Sequence, residues 1–350
     1  MVLLPDKIDN ALSQILPRES KLVHRKRAEE ILAAMAGRKV LVVGDVMLDE
    51  YVWGSVRRIS PEAPVMVVEV QRDSWTPGGA ANVVNNIQAL GGSSAIIGVV
   101  GDDEAGQKLS ARLAKNGADT SGIVVDRIRP TTRKTRIVAH SQQVVRVDRE
   151  SRKALAARTV KRIGERLAIE IPAFDVVMFS DYDKGMAVRA VTQTLIEIAR
   201  EHKKPVVVNS KPGNIKQFRS ASVVTVNQAE AEAASGIRIT DDKSLMRAAK
   251  RLMTPRYCGP EALIITRGPQ GLSLFTADGH ENIPAHLVEV YDVAGAGDTL
   301  ASVLSIALST GATLKEAALL ANCAGGAVVR KVGVATVTRE EIALMLEGAQ

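Results

Sequence analysis

Three hundred and fifty residues, 46% of them hydrophobic and 24% charged, can bury the core of one large domain or two ordinary ones, which excludes disordered, collagenous and coiled-coil chains. Aromatics at 3% leave few rings for stacking on bases or glycans, and Cys258 and Cys323 are too few and too far apart for a disulfide framework or a zinc site. The net charge of +7 gathers at Lys21 to Arg27 and Arg127 to Arg136 without interleaved aromatics, a pattern that argues for an anionic small molecule over nucleic acid.

The chain opens MVLLPDKIDN, with acidic residues where an export leader needs basic ones, and no apolar run approaches the roughly 20 residues that span a bilayer. The expectation is a cytoplasmic protein without membrane contact. Residues 1 to 37 read as a polar N-terminal extension, with one domain over 38 to 350.

From there apolar, β-rich runs alternate with helical patterns. The runs are Val40 to Val43, Ala95 to Val100, Val176 to Phe179, Val206 to Val208, Val223 to Val226 and Leu263 to Ile265. Their continuous apolar character predicts strands covered on both faces, as in a parallel sheet between helix layers. Helical patterns lie between them at Ala80 to Leu90, closed by Gly91-Gly92, and at Leu155 to Ile169. Two later helices open with capping boxes, Thr313 with Glu316 and Thr338 with Glu341. The class is α/β, built of right-handed βαβ units.

Two segments break the alternation. Val65 to Val70 and Arg136 to Val147 are β-rich with no helical pattern between their strands. They predict a small β-lid, from about residues 51 to 77 and 131 to 148. Apolar groups on both faces of Val65 to Val70 call for cover, which a second copy of the chain would supply.

Ligands of open parallel sheets bind beyond the carboxyl ends of the strands. Here the runs are followed by Gly44-Asp45, Ser180-Asp181, Asn209, Asn227 and Thr266-Arg267-Gly268. Asp292 to Thr299, DVAGAGDT, leads into the apolar helix LASVLSIALS. Its glycines free backbone N–H groups at a helix N-terminus, an anion hole with the positive end of the dipole behind it. Asp298, in the first turn, is either a favourable dipole partner or a base for a hydroxyl that attacks a phosphate bound there. The second glycine pair, in PGGAAN (77 to 82), reads either as an ordinary helix start or as bare backbone for a polyhydroxylated ligand with Asn82 beside it. Neither a P-loop nor a dinucleotide-binding fingerprint occurs.

The pair PGGAAN and DVAGAGDT resembles the two signatures of the ribokinase (PfkB) family of sugar kinases, over roughly residues 38 to 345. The similarity is closer still to the D-glycero-β-D-manno-heptose 7-phosphate kinases of lipopolysaccharide-core synthesis. It is carried by GDVMLDEYVWG (44 to 54), RISPEAPV (58 to 65), PGGAANV (77 to 83), QQVVRVD (142 to 148), SDYDKG (180 to 185), TRGPQGLSL (266 to 274) and YDVAGAGDT (291 to 299).

The resemblance implies a three-layer αβα fold and ATP-dependent phosphorylation of the anomeric hydroxyl, giving heptose 1,7-bisphosphate. Asp298 would be the base, with Gly295, Ala296 and Gly297 as the anion hole. Asp45, Asp49, Gly78, Gly79 and Asn82 would hold the sugar. Asn227 and Glu230, the family's Asn-x-x-Glu, would place Mg2+ and the nucleotide phosphates. Asn209, Thr266, Gly268, Gly271 and Asn322 would line the ATP cleft. Arg58, Lys134, Arg136 and Lys184 are the cations available to a distal sugar phosphate. Asp292, beside the anion-hole loop, is a further metal candidate, and the family adds dependence on K+; the apolar Val65 to Val70 strand separately predicts a homodimer joined through the lids. Close relatives have Thr at Ala294 and Asp-Pro-Lys-Gly at Asn209-Ser210-Lys211-Pro212. Some carry a nucleotidyltransferase domain with a His-x-Gly-His motif, which these residues lack. The alternatives are a related kinase for another sugar, or a silent sugar- or nucleotide-binding regulator, which would have no need of Asp298.

Overall fold

A computed structural model describes residues 18 to 347 except 141 and 152. Among the described residues, nine strands form one sheet in the order β13-β12-β11-β10-β9-β8-β1-β4-β5, with the short β5 (Ile123–Asp126) parallel to β4 at one edge. Its centre is β1 (Lys39–Gly44), parallel to β4 (Ser93–Gly101) on one side and to β8 (Val176–Ser180) on the other. Parallel pairing continues through β9 (Val206–Asn209), β10 (Val223–Asn227) and β11 (Ala262–Thr266), while β12 (Leu272–Thr276) and β13 (Gly279–Ile283) close one edge antiparallel.

The continuous apolar runs are explained by two cores. Val40 and Val42 of β1 face one core, with α2 (Ala80–Ala89), α8 (Ala296–Ser309) and α9 (Leu314–Val328). Leu41 and Val43 face the other, with α4 (Ala157–Glu170), α5 (Arg189–Glu201), α6 (Gln228–Ser235) and α7 (Asp242–Leu252). Alternate side chains of one strand therefore enter opposite layers, so both faces of β1 are apolar.

Helix α1 (Arg18–Ala34) sends Ala28, Ile31 and Leu32 into the first core, with Met35 after it. Part of the stretch expected to be an extension is thus packed with the main core; residues 1 to 17 lie outside the described residues. Cys258 and Cys323 are free and buried.

A second sheet, in the order β3-β2-β6-β7, forms the lid. It consists of β2 (Val46–Ile59), β3 (Met66–Gly79), β6 (Thr132–Ala139) and β7 (Gln142–Arg149). Only Asp45 separates the end of β1 from the start of β2, so core and lid share one stretch of backbone. Outer positions of the lid leave Ile59, Met66 and Val70 more than half exposed.

Candidate active site

Helix α8 aims its N-terminus at the site. Asp298 to Ala307 are all buried, and two serines on this apolar helix return their hydroxyls to the preceding turn, Ser302 Oγ to Asp298 O and Ser305 Oγ to Ala301 O, both at 2.7 Å. Gly295 caps the helix in the left-handed region (φ 79°), a conformation that costs a side-chain-bearing residue about 1–2 kcal/mol. First-turn N–H groups have no intrahelical acceptor, and their partial positive charge favours an anion. Of the three residues read as the anion hole, Ala296 turns its N–H onto Val293 O at 3.3 Å, which leaves Gly295, Gly297 and Asp298 as the better placed donors.

Asp298 is 3% exposed. Asn82 Nδ2 donates to its Oδ2 at 2.8 Å, and the Tyr182 hydroxyl lies 2.8 and 2.9 Å from its two oxygens. Burial pushes its pKa up to about 6, opposed by those hydrogen bonds and by Lys211. A carboxylate at that value is ionised near neutral pH and basic enough to take a proton from a hydroxyl that is being phosphorylated.

Asp49 stands at the start of the lid, 6% exposed, with Oδ1 2.6 Å from Arg136 Nη1. Its other oxygen lies over the Cα of Gly78, where a Cβ would fall 2.1 Å away. Glycine at 78 is what lets this carboxylate lie against β3, with Gly79 and Asn82 following directly.

Several residues read as ligand contacts have other work here. Asp45 holds backbone: Oδ2 accepts the N–H of Tyr182 (2.9 Å) and Lys184 (3.1 Å), and Oδ1 that of Met186 (3.0 Å). It is an anchor for the loop after β8, and burial raises its pKa. Asp292 accepts from Ala294 N at 2.9 Å and Gly333 N at 3.0 Å, so both of its oxygens help to shape the anion-hole loop. Arg58 sits near the lid tip, nine residues beyond Asp49, roughly 30 Å away at about 3.3 Å per residue, too far to share a sugar with it. Lys184 pairs with Glu150 at 2.8 Å.

On the nucleotide side, Asn227 and Glu230 form a reciprocal capping box on α6, and Glu230 also pairs with Lys211 at 2.5 Å. Asn209, at the end of β9, places its Nδ2 3.7 Å from where a Cβ on Gly297 would lie, so it borders the anion hole. Thr266 ends β11; Gly268 and Gly271 shape the turn after it, and Arg267 N donates to Gly271 O at 2.7 Å. Asn322, on α9, donates to Pro284 O at 2.8 Å. Among the described residues no group of three or more His, Cys, Asp or Glu could hold a metal ion. Magnesium, which is held chiefly by phosphates and water, asks for only one or two protein carboxylates, and Glu230 on the nucleotide side fits that modest demand.

Sequence reasoning misses Tyr182 and Lys211 as site residues. Both lie beside the marked strand ends, Tyr182 within SDYDKG, and that proximity is the available signal.

A model of the pfkB family of carbohydrate kinases matches residues 38–341. The chain belongs to that family. Among curated proteins, this pfkB chain is 45% identical over 311 residues to the bifunctional protein HldE of Desulfatibacillum aliphaticivorans, covering 88% of this chain and 63% of that one. It is also 45% identical over 321 residues to the protein of the same name from Geobacter sulfurreducens, covering 91% and 65%. The chain therefore spans less than two thirds of the length of these relatives. The fold is that of phosphofructokinase-2 from Escherichia coli (TM-score 0.75, 19% identity, 90% of this chain and 100% of that one) and of Arabidopsis thaliana ribokinase (TM-score 0.67, 15% identity, 89% and 99%). As a carbohydrate kinase it uses ATP, and among the described residues no helix is long and apolar enough to cross a membrane.

Proposed function

We propose that this kinase phosphorylates D-glycero-β-D-manno-heptose 7-phosphate at its anomeric hydroxyl, giving heptose 1,7-bisphosphate for ADP-heptose and lipopolysaccharide-core synthesis in the cytoplasm. The observation that carries the reading is the buried Asp298 at the N-terminus of α8, hydrogen-bonded to Asn82 and near enough to the lid carboxylate Asp49 for that charge to help raise its pKa. The specific sugar is supported by the HldE relatives and by the similarity that runs through the lid as well as through the two kinase signatures.

In this reading Asp49 and Asn82 hold sugar hydroxyls and orient C1 toward Asp298. Asp298 accepts the anomeric proton as that oxygen attacks the γ-phosphorus in line, while the N–H groups of Gly295, Gly297 and Asp298 receive charge that builds on the transferring phosphoryl. Glu230, Asn227 and Asn209 would orient the nucleotide end, where magnesium bound with ATP would offset phosphate charge. The 7-phosphate lies toward the lid, where Lys134, half-buried and held below its ordinary pKa by burial, has Lys184 and Arg146 as cationic neighbours. Potassium dependence through the Asp292 loop, and a homodimer through the lids, belong to the same reading.

The deciding experiment is steady-state ADP release against a panel of sugar phosphates. Heptose 7-phosphate should give the highest kcat/KM; a pentose or ketohexose phosphate that exceeded it would overturn the assignment.

A further inference from the structure

Tyr182 covers the base. A phenol has one proton, so its short approaches to both Asp298 oxygens describe one hydrogen shared across the carboxylate. Asn82 also donates to Oδ2, so both oxygens already accept hydrogen bonds from neighbouring side chains. An acceptor hydroxyl must itself come within hydrogen-bond reach of Asp298, and the place it needs is the one the phenol holds.

The backbone beneath Tyr182 is fixed. Asp45 grips the N–H groups of residues 182, 184 and 186, and Asp181 accepts from Asp183 N at 2.8 Å and Lys211 N at 2.9 Å. Withdrawal of the phenol is therefore a side-chain rotation on an anchored loop. Two ammonium groups steady the ring from outside, Lys134 Nζ at 5.5 Å and Lys211 Nζ at 5.4 Å from its centroid. Lys211 has Glu230 as partner, whereas Lys134, on lid strand β6, makes no ion pair among the described residues. A phosphate arriving at the lid would be a stronger partner for Lys134 than the ring.

We propose that Tyr182 is a placeholder for the acceptor hydroxyl, one that keeps Asp298 covered while the sugar site is empty and withdraws when a sugar-borne phosphate draws Lys134 off its ring. Its consequence is restraint of a side reaction. With Asp298 uncovered beside ATP, water could attack the γ-phosphorus, the bond to the ADP oxygen would break, Asp298 would take the water's proton, and ADP and phosphate would leave. The placeholder role rests on the kinase reading above but not on the identity of the sugar.

The test is Tyr182→Phe, which keeps the ring between its cations and removes only the hydroxyl. ADP release from MgATP without any sugar should rise at least about fivefold, and Asp298→Asn in the same background should return it to the parental level. KM for heptose 7-phosphate should fall, because the sugar no longer displaces an internal hydrogen bond. The charged and titratable groups facing Asp298 are Tyr182 and Lys211, which hold its pKa down, and Asp49, which raises it; Tyr182→Phe removes the first of these. The acid limb of kcat/KM, which reports the free enzyme, should therefore move to higher pH, while the limb of kcat, which reports the complex, stays in place. Unchanged sugar-free hydrolysis together with an unmoved kcat/KM limb would overturn the proposal. So would a rise in sugar KM of about threefold or more, since that would make Tyr182 a holder of the sugar. Because hydrolysis is read without sugar, a wrong choice of sugar leaves that arm standing and shows itself only in the substrate panel.

Discussion

The amide of Asn82 and the carboxylate of Asp298 meet at 2.8 Å across 216 residues of chain. One sits in the first turn of α2, the other in the first turn of α8, and the contact joins the two kinase signatures in a single hydrogen bond. Replacing Asp298 by Asn keeps the shape and removes the proton acceptor. We expect kcat to fall by about 10²- to 10⁴-fold or more with ATP binding retained, as measured by steady-state rates and nucleotide titration. A variant that kept a tenth of wild-type kcat would remove Asp298 from the role of base.

Activity should fall as pH drops through about 6, because Asp298, raised to about 6 by burial, must be unprotonated to act. Stability should move the other way. A carboxyl whose folded pKa lies above its unfolded value binds its proton more tightly when folded, so the contribution is full below about pH 4 and is lost as pH rises through about 6. Asp181, also pushed up to about 6 by burial, acts in the same sense. A carboxyl that titrates near 6 when folded and near 4 when unfolded destabilises the fold by about 2–3 kcal/mol once it is ionised. Asp298→Asn should therefore melt several degrees above wild type near pH 8, and the gain should shrink toward pH 5. A thermal midpoint lowered by the substitution at the higher pH would contradict this.

Gly78→Ala tests the sugar side without touching a charge. The added methyl would lie 2.1 Å from Asp49 Oδ2, so the carboxylate must move. KM for the sugar should rise about tenfold or more while KM for ATP changes little. Lys134→Ala should also raise sugar-phosphate KM by about tenfold, since a charge-assisted contact to phosphate contributes about 1.5–3 kcal/mol. An unphosphorylated sugar analogue should not respond to that change.

The lid supplies a test of assembly. Ile59, Met66 and Val70 are 67%, 54% and 63% exposed on one small sheet, an apolar surface that a second lid would cover. Sedimentation should show a dimer at micromolar concentration, and Val70→Asp should give monomers with weakened sugar binding. A wild-type monomer would refute the interface.

The strand ends are legible because each buried strand is written as an unbroken apolar run with a polar stop, as at Val176 to Phe179 followed by Ser180-Asp181. The capping boxes at Thr313 and Thr338 are legible for a similar reason, since three-residue spacing fixes both partners locally. Asp45 and Asp292 show what sequence withholds. A carboxylate beside a glycine looks like a ligand contact whether it faces a sugar or a ring of backbone N–H groups, and only the path of a loop more than a hundred residues away from Asp45 decides. Helix α1 is hidden by its polar composition; its few inward residues, Ala28, Ile31 and Leu32, are too sparse to announce a buried stripe.

The shared backbone of β1 and β2 gives the site the form of a calliper. Asp298 is mounted on a helix packed into the core, Asp49 and Lys134 on the sheet that leaves it, with Asp45 at the pivot. The span between the jaws is set by the angle of the lid and not by packing around either carboxylate. On the proposed reading, substrate length would be gauged by that span. A shorter sugar can occupy each jaw in turn but cannot close both, so changes at the pivot should alter which sugars are accepted without altering any residue that touches them.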